Sequence, residues 1–361
     1  MFPRTRYLEW ARRFYGQVRC DLASSGAATV PLSELGLPPL GVLDDPSGWD
    51  ALRAGIATYN DVPASEAVAA LGTTHAIWLA YTALTSPGDA VLVERPSYEP
   101  LWRIPEGLGL AVHTFERSAA HDFSLDPDRV AASLTPRTKV VAISNLHNPG
   151  GVRAGDEELR AVAHLAEQHG ATLLVDEVYA PFDALVDAEG VFRGSARKLA
   201  PNVVAVGSLT KAYGLGPQRI GWVLGSADVV ARADDAITAS AGVLPLLHAH
   251  LGAHAFTRVC DLADRTRSAL QGKRERVAAW VERQGLTWSR PSDGLFGFVH
   301  LQGHGDLFAT LEAAAREHEV LVTPGAFFGQ PEGFRLAWSA PMAVLAEGLD
   351  TLGRVLAELA R

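Results

Sequence analysis

Short apolar runs alternate with longer amphipathic stretches along the chain between residues 67 and 225. Six of these runs are apolar at nearly every position, and we predict that each forms a buried strand. They are 67–72, 90–94, 139–145, 171–178, 202–209 and 220–225. Strands that are apolar on both faces are typical of a mostly parallel sheet covered by helices.

Amphipathic helices are predicted between these strands. Residues 73–84 and 156–170 both place apolar side chains at helical spacing. The second helix is expected to begin at Asp156, a residue type that caps helix N-termini, and to end at Gly170. Alternating strands and helices on this scale predict a doubly wound α/β domain.

The pattern changes beyond about residue 255, where long helical stretches alternate with four strand-like runs. These runs are 286–289, 296–301, 319–325 and 334–339. They predict a smaller α+β domain, which an N-terminal helix is expected to join because Leu8, Ala11, Arg12 and Tyr15 follow helical spacing. We therefore predict a large domain over 47–254 and a small domain made of 1–46 plus 255–361.

Composition and charge narrow the classes of function. The 361 residues carry a formal net charge of −9, which argues against a nucleic-acid or anionic-membrane surface. No apolar run has the length of a membrane span. Two cysteines cannot form a disulfide framework, so we expect a cytoplasmic protein. His250 and His254 have the spacing of a helical metal pair but lack accompanying acidic or thiol ligands, and we predict no metal site.

Polar residues follow four of the predicted strands, at the ends where open α/β sheets bind ligands. In the first segment, LGTTHA (71–76), Gly72 allows a sharp turn into a helix. The amides of Thr73 and Thr74 would then point out of the helix N-terminus, a good site for phosphate. Taken alone, this segment favours an ordinary capped helix.

Two further groups follow the strands 139–145 and 171–178. Asn148 precedes Pro149, which favours an extended or turn conformation with the side-chain amide able to donate to a ligand; alone, this is equally a simple turn. Asp176 ends a strongly apolar strand, where a carboxylate is costly unless it meets a cation such as a protonated pyridine ring. Tyr179 would approach the same ligand from the following loop.

Lys211 is one of only four lysines and lies in SLTKAYGLGPQRIG, residues 208–221. Ser208 and Thr210 flank it, and Arg219 begins the next strand. A lysine near an arginine and hydroxyl groups can form an imine with an aldehyde whose phosphate those groups hold. The four groups together require an aldehyde, a ring nitrogen, a phenolic oxygen and a phosphate, all of which pyridoxal 5′-phosphate supplies.

The ordered set Asn-Pro-x-Gly, Asp-x-x-Tyr, Ser-x-x-Lys and a glycine-bounded Arg resembles the class I/II aminotransferases, the fold-type-I pyridoxal-phosphate enzymes. The resemblance extends from about Ser47 to Ser339. It implies that Lys211 forms the imine with the cofactor and moves a proton between substrate and cofactor. It also implies that Asp176 keeps the ring nitrogen protonated.

The remaining roles implied by the resemblance concern the 3′-oxygen, ring face and phosphate of the cofactor and the α-carboxylate of the substrate. Asn148 and Tyr179 would bind the 3′-oxygen, and Tyr98 would stack on the ring, although Tyr98 could equally be a core aromatic residue. The phosphate would be held by Thr73, Thr74, Ser208 and Arg219. Arg335 would clamp the substrate α-carboxylate through a bidentate pair, and Asn148 is a second candidate to bind the substrate.

Several features depart from the usual family pattern. Gly150-Gly151 follows the Asn-Pro pair, Pro217 stands where glycine is usual, and residues 38–46 contain no tyrosine to reach a partner's phosphate site. The resemblance still implies a homodimer with its sites at the subunit interface. Ser24-Ser25-Gly26 is a candidate lid over the substrate. His75, Tyr213 and the N-terminal segment are candidates to shape the side-chain pocket.

The leading hypothesis is amino-group transfer between an L-amino acid and a 2-oxo acid. The same groups also support a lyase, a decarboxylase or a cyclase that acts on an amino acid, because the cofactor stabilises any carbanion at the α-carbon. A non-catalytic cofactor-binding sensor and a nicotinamide dehydrogenase are less favoured hypotheses from other classes.

Overall fold

The computed structural model describes residues 2–183, 186–301 and 303–359. The helices in this part of the chain are α1 (Arg6–Phe14), α2 (Leu32–Leu35), α3 (Ser47–Asn60), α4 (Gly72–Leu84), α5 (Pro100–Gly107), α6 (Pro127–Ser133), α7 (Asp156–Gln168), α8 (Ala180–Asp183), α9 (Ala227–Ala241), α10 (Leu246–Thr257), α11 (Val259–Leu270), α12 (Lys273–Arg283), α13 (Phe308–Glu317) and α14 (Met342–Leu359). The strands are β1 (Cys20–Asp21), β2 (Ala67–Leu71), β3 (Ala90–Arg95), β4 (Ala111–Glu116), β5 (Thr138–Ser144), β6 (Thr172–Asp176), β7 (Val203–Ser208), β8 (Ile220–Leu224), β9 (Thr287–Trp288), β10 (Phe296–His300), β11 (Val320–Leu321), β12 (Thr323–Pro324) and β13 (Gly333–Ala337).

The central sheet has seven strands in the order β2-β8-β7-β6-β5-β3-β4. The pairs from β7 through β6, β5 and β3 to β4 are parallel, whereas β8 pairs antiparallel with both β7 and β2. This confirms the predicted mostly parallel sheet. All six strands predicted between residues 67 and 225 belong to it.

Helices cover both faces of this sheet, because its strands present apolar side chains in both directions. On one face, Val91 and Val93 of β3 pack in the same cluster as Ile77 of α4. On the other face, Leu92 packs with Val162 of α7. The strand ends between the two layers are therefore held rigidly, and they position the residues that follow them.

The edge strand β4 was not among the predicted strands. Five of its six residues are half-buried or exposed, and only Phe115 is buried. A strand that is partly exposed lacks the continuous apolar run from which the other strands were predicted. The predicted strand 319–325 is also different in the structure, where β11 pairs with β1 and β12 pairs with β13.

A second sheet contains four antiparallel strands in the order β12-β13-β10-β9, and β1 with β11 forms a two-stranded parallel sheet. The N-terminal helix α1 lies against this region, with Tyr7, Trp10 and Phe14 in one apolar cluster with Leu321. These packing contacts agree with the expected α+β unit. The exact division at residues 47 and 255 stays a prediction.

Two features of the described residues concern the compartment of the protein, namely its helices and its cysteines. Among these residues, no helix combines the length and the apolar character that a bilayer span requires. Both cysteines are free thiols, and Cys20 is buried while Cys260 is partly exposed. The cytoplasmic location stays a prediction.

Candidate active site

The polar residues that follow β2, β5, β6 and β7 lie together at one edge of the central sheet, beside a cavity of about 490 Å³. All of the predicted site residues except Asn148, Ser208 and Arg335 line this cavity. Those three are buried beside it and hydrogen-bond to other site residues. The order of motifs along the chain therefore corresponds to a single site in space.

Lys211 lies in the turn after β7 and is partly buried. Its Nζ donates a hydrogen bond to Ser25 Oγ at 3.1 Å. Burial lowers the pKa of Lys211 below its ordinary value, and Arg335 and Arg219 act in the same direction against an opposing effect of Tyr7. A lysine with a lowered pKa carries more of the neutral amine that attacks a carbonyl carbon.

Asp176 is the last residue of β6 and is only 2% exposed. Burial raises its pKa to about 7, although the backbone N–H of Val178 donates to Oδ1 at 3.2 Å and opposes the rise. Within the described ranges, no lysine, arginine or histidine forms an ion pair with this carboxyl group. A cationic ring nitrogen in the cavity would supply the missing positive partner.

The N-terminus of α4 and Arg219 form a cradle for an anion. Gly72 has φ +77°, and a Cβ at this position would lie 2.3 Å from Arg219 Nη2, so a side chain there would displace the guanidinium. No side chain caps the first turn of α4. Its free N–H groups and the adjacent arginine give the geometry that phosphate prefers.

Three hydroxyl groups lie at the base of this cradle. Thr73 Oγ1 donates to Ser208 Oγ at 2.8 Å, and Ser208 Oγ lies 2.6 Å from Thr210 Oγ1. The hydroxyl groups come from two chain segments 135 residues apart, which the pairing of β2, β8 and β7 brings together. Ser208 therefore occupies its predicted place, and Thr210 joins it.

The two predicted tyrosines lie on different walls of the cavity. Tyr179 donates its hydroxyl proton to Ser25 Oγ at 3.0 Å, and burial raises its pKa above the ordinary value. Tyr98 lines another wall, with its hydroxyl 3.2 Å from Thr74 Oγ1. Tyr98 thus lines the cavity and also packs against an apolar cluster, and its stacking on the cofactor ring stays a prediction.

Ser25 connects Tyr179 and Lys211, because it accepts a hydrogen bond from each. The segment after it runs along the lysine turn, where Ala27 N donates to Lys211 O at 2.8 Å. The candidate lid 24–26 therefore lies directly over the proposed reactive amine. The sequence alone defined no partner for this segment, and it was a candidate only through the family resemblance.

Asn148 is positioned by a buried polar network beneath the site. Its backbone N–H donates to Ser144 Oγ at 3.0 Å, and this hydroxyl donates to Glu94 Oε1 at 2.6 Å. Arg117 completes the network with an ion pair to Glu94 at 2.8 Å. Removing one member would leave a buried group unpaired, so the network fixes the loop that carries Asn148.

Arg335 lies in β13 and is fully buried. Its Nη1 donates to Asn148 Oδ1 at 2.7 Å, and its Nη2 donates to Tyr7 Oη at 2.9 Å. Its Nε has no acceptor among the residues that the structure describes. A buried N–H donor without an acceptor is costly, and a substrate carboxylate would relieve this cost.

The four residues whose spacing predicted an N-terminal helix all line the cavity. They are Leu8, Ala11 and Arg12 on α1 and Tyr15 directly after it. Tyr7, one position earlier, contacts Arg335 but was not predicted as a site residue. The only signal available was a second tyrosine eight residues later, directly after the helix. The N-terminal segment thus lines the cavity, and its role in shaping the substrate pocket stays a prediction.

Two other pocket predictions were wrong. His75 Nδ1 accepts a hydrogen bond from Leu71 N at 3.0 Å, and its ring stacks on Trp78 away from the cavity. Tyr213 is buried with its hydroxyl 2.8 Å from that of Tyr59. Neither residue lines the cavity. Both residues are close in sequence to residues of the site, but their side chains point to partners outside the cavity.

The predicted absence of a metal site concerns the pair His250 and His254. Each Nε2 lies within hydrogen-bonding distance of a backbone carbonyl oxygen, that of Asp45 at 2.8 Å and that of Leu35 at 3.2 Å. In the part of the chain that the structure describes, no group of three or more potential ligands is placed to hold a metal. The two histidines therefore connect α10 to the stretch between the end of α2 and the start of α3.

The donor groups of the cavity fit pyridoxal 5′-phosphate. The cradle at α4 fits its phosphate, Asp176 fits its ring nitrogen, and Lys211 fits its aldehyde. The fold and this set of groups define a doubly wound α/β enzyme that uses this cofactor.

Comparison with protein families gives the same class. The model for "Aminotransferase class I and II" matches residues 40–352, so the chain belongs to this family. Members of the family depend on pyridoxal phosphate. The cofactor predicted from the residues is therefore confirmed at the level of the family.

Similar proteins span nearly the whole chain. Capreomycidine synthase from Streptomyces vinaceus is 29% identical, with 98% of this chain and 94% of that protein covered. An arginine–pyruvate transaminase from Pseudomonas aeruginosa is 27% identical over 79% of this chain and 74% of its own. A PLP-dependent aminotransferase from Streptococcus suis has the same fold, with a TM-score of 0.89, 24% identity and coverage of 100% and 99%.

Proposed function

We propose that this protein is an aminotransferase that moves an amino group from an L-amino acid to a 2-oxo acid. One observation carries the proposal. A single cavity combines Lys211, the unpaired buried carboxyl of Asp176 and an anion cradle, while Arg335 lies beside it with a free N–H donor. Amino transfer needs all four functions at one place.

The chain's own residues divide the work as follows. Arg335 and Asn148 bind the substrate α-carboxylate, which orients the α-carbon toward Lys211. The amine of Lys211 would remove the proton from this α-carbon and hold it for return to the reacting group. Asp176 keeps the ring nitrogen protonated. When bound, the cofactor holds amines covalently through its aldehyde and accepts the electron pair left at the α-carbon.

A half-reaction tests this proposal. The holoenzyme is mixed with one amino acid at a time, without a 2-oxo acid, and its visible absorption is followed. We expect stoichiometric conversion of the bound cofactor to its amino form and release of one 2-oxo acid per site. Addition of a 2-oxo acid should restore the original spectrum. If no amino acid in a complete panel produces the amino form, amino transfer is not the activity.

A second candidate is a cyclase or lyase that acts on an amino acid. It is favoured by the match to capreomycidine synthase, which spans a larger share of both chains than the transaminase from Pseudomonas aeruginosa does. The three departures at Gly150, Pro217 and residues 38–46 are compatible with such chemistry, because they alter the surroundings of the cofactor and not the groups that define it.

Product analysis separates the two candidates. A ¹⁵N-labelled amino acid is incubated with the holoenzyme, and the label is located afterwards. Label on the cofactor or on a new amino acid supports transfer. Labelled ammonia supports a lyase, carbon dioxide supports a decarboxylase, and label retained in a cyclic product supports a cyclase.

We also propose that the protein works as a homodimer in the cytoplasm. Trp49, Val243 and Leu247 are exposed large apolar residues on α3 and the region around the start of α10. They lie close together, because Trp49 Nε1 donates to Leu244 O at 2.9 Å. A second copy would cover this patch. Sedimentation should give a dimer that Val243→Glu with Leu247→Glu converts to a monomer, whereas a monomeric wild type would contradict the proposal.

A further inference from the structure

Four groups beside the cavity form a closed ring of hydrogen bonds. Arg335 Nη2 donates to Tyr7 Oη at 2.9 Å and to the backbone oxygen of Ala23 at 3.1 Å. The hydroxyl groups of Tyr7 and Tyr15 are 2.9 Å apart, and Tyr15 donates to the same oxygen of Ala23 at 3.1 Å. The ring joins α1, the segment after β1 and β13.

The proton positions in this ring follow from the number of donors. Tyr15 has one hydroxyl proton and gives it to Ala23 O. The contact between the two hydroxyl groups is therefore made by the proton of Tyr7, which in turn accepts from Arg335. Each tyrosine hydroxyl gives its one proton to one acceptor in the ring, and Arg335 Nη2 donates to both Tyr7 and Ala23, so the orientation of the guanidinium is coupled to both tyrosines.

The backbone of α1 is anchored, so Tyr7 cannot move freely. The buried carboxylate of Glu99 accepts the backbone N–H of Arg6 at 3.1 Å and that of Tyr7 at 2.7 Å. The ring of Tyr7 also contacts Tyr98, with centroids 6.2 Å apart and the planes nearly perpendicular. Tyr7 is thus fixed by a loop of the central sheet while its hydroxyl holds an arginine of the second sheet.

The electrostatic surroundings agree with this geometry. Although burial raises the pKa of Tyr7, the positive charges of Arg335 and Lys211 and the hydrogen bond that Arg335 donates lower it below the ordinary value for tyrosine. Both cations therefore face this hydroxyl group. Its oxygen is a strong acceptor for the guanidinium, which favours a single orientation of Arg335.

We propose that Tyr7, supported by Tyr15, is a positioning residue that holds Arg335 in the orientation in which it binds the substrate α-carboxylate. This inference deepens the proposed function, because it takes the carboxylate as the ligand of Arg335. Neither tyrosine takes part in proton transfer at the α-carbon, which stays with Lys211. The pair instead sets the affinity for the carboxylate of any substrate.

The test measures carboxylate binding without turnover. Acetate and succinate are titrated into the holoenzyme, and the change in visible absorption of the bound cofactor gives a Kd for each. Tyr7→Phe should raise both Kd values about 5- to 10-fold, since it removes a hydrogen bond to a charged group in a buried site. Tyr15→Phe should raise them about 2- to 4-fold, because it acts only through Tyr7.

A matched control is available in the same chain. Tyr59 and Tyr213 also form a buried hydroxyl pair, with oxygens 2.8 Å apart, away from the cavity. Tyr59→Phe removes an equivalent hydroxyl group and should leave both Kd values unchanged. The thermal midpoint of each variant separates an effect on the site from a general loss of stability.

Steady-state kinetics provide the second readout. For an active substrate, Tyr7→Phe should raise KM by a factor similar to that in Kd and leave kcat within about twofold, because Lys211 is unchanged. The inference is overturned if Tyr7→Phe binds carboxylates as the wild type does, if it behaves like Tyr59→Phe, or if the wild type binds neither carboxylate.

The two proposals can fail separately. If carboxylate affinity depends on Tyr7 but no amino transfer occurs, the positioning role stands and the proposed function is wrong. If amino transfer occurs but carboxylate affinity is independent of Tyr7, the proposed function stands and the positioning role is wrong.

Discussion

The two halves of the site are built in different ways. The cofactor half consists of residues at or just beyond the ends of neighbouring strands of one sheet, such as Asp176 at the end of β6 and Lys211 after β7. The carboxylate half joins Arg335 on a second sheet to Tyr7 on α1 and to Tyr15 directly after this helix. The first half is determined by strand order, and the second only by the packing of distant segments.

This difference means that the geometry of the cofactor half follows from the fold, whereas the geometry of the carboxylate half can vary with the position of α1. Strand ends in a covered parallel sheet have one possible arrangement, so the cofactor half follows directly from the fold. The position of α1 depends on contacts such as those of Glu99 with the first N–H groups of the helix. Substitutions in the two halves should therefore have separable effects, on the chemical step in one and on substrate affinity in the other.

The largest effect is expected at the centre of the cofactor half. Lys211→Ala should lower kcat at least about 10³-fold, because it removes the group that transfers the proton. The Kd for acetate should change little, since Arg335 is untouched. Lys198→Ala is the control, as this exposed lysine only pairs with Asp61. A Lys211→Ala variant with near wild-type turnover would contradict the assignment of Lys211 as the group that transfers the proton.

Asp176 should make the stability of the cofactor-free protein depend on pH. Its pKa is raised from 3.8 to about 7 by burial, so the folded state keeps a proton that the unfolded state loses. The free energy of unfolding should therefore fall as pH rises from about 4 to about 7, by up to about 4 kcal/mol for this group. Urea unfolding of the wild type and Asp176→Asn measures the difference.

Glu177 is the matched comparison for this experiment. Burial also raises its pKa to about 7, but it lies outside the cavity and bonds to Ser195 and to the N–H of Ala196. Bound cofactor should offset the pH dependence due to Asp176 and leave that due to Glu177. Equal slopes in Asp176→Asn and the wild type would contradict the assignment.

In the carboxylate half, Arg335→Lys should raise the KM of the amino acid about 10- to 100-fold. Lysine keeps the charge but loses the planar fork that binds a carboxylate at two points. Cofactor affinity should stay close to that of the wild type, which a titration followed by absorption would measure. A change in cofactor affinity as large as that in KM would mean that the halves are not separable.

The smallest effect is expected for Arg12, at the exposed rim of the cavity. In the described residues it forms no ion pair, and it faces the open side of the site. Arg12→Gln should raise KM about 2- to 5-fold for substrates with acidic side chains and lower it for cationic ones. High salt should abolish both changes, and persistence in high salt would exclude a purely electrostatic role.

The cofactor half was largely predictable from the sequence because its residues lie at the ends of recognisable apolar strands. The chemistry of Lys211 and Asp176 follows from their residue types at these strand ends, whereas the roles of Asn148 and Arg219 were assigned through the resemblance to a family. The edge strand β4 could not, since half of its residues are exposed and its apolar run is interrupted.

The carboxylate half was predictable only in part. Arg335 was assigned through the resemblance to a family, but its bonds to Tyr7 and to Ala23 join residues 328 and 312 positions apart. No local pattern carries such contacts. Proximity in sequence to Thr74 also led to the wrong prediction that His75 shapes the pocket. Its ring instead accepts a hydrogen bond from the backbone N–H of Leu71, four residues earlier.

The central claim is that Lys211 holds the cofactor covalently in the cavity. The holoenzyme is reduced with borohydride, digested and mapped by mass spectrometry. We predict one cofactor adduct per chain, on Lys211, and none on Lys139, Lys198 or Lys273. An adduct on another lysine, or a colourless protein that takes up no cofactor, would contradict the account.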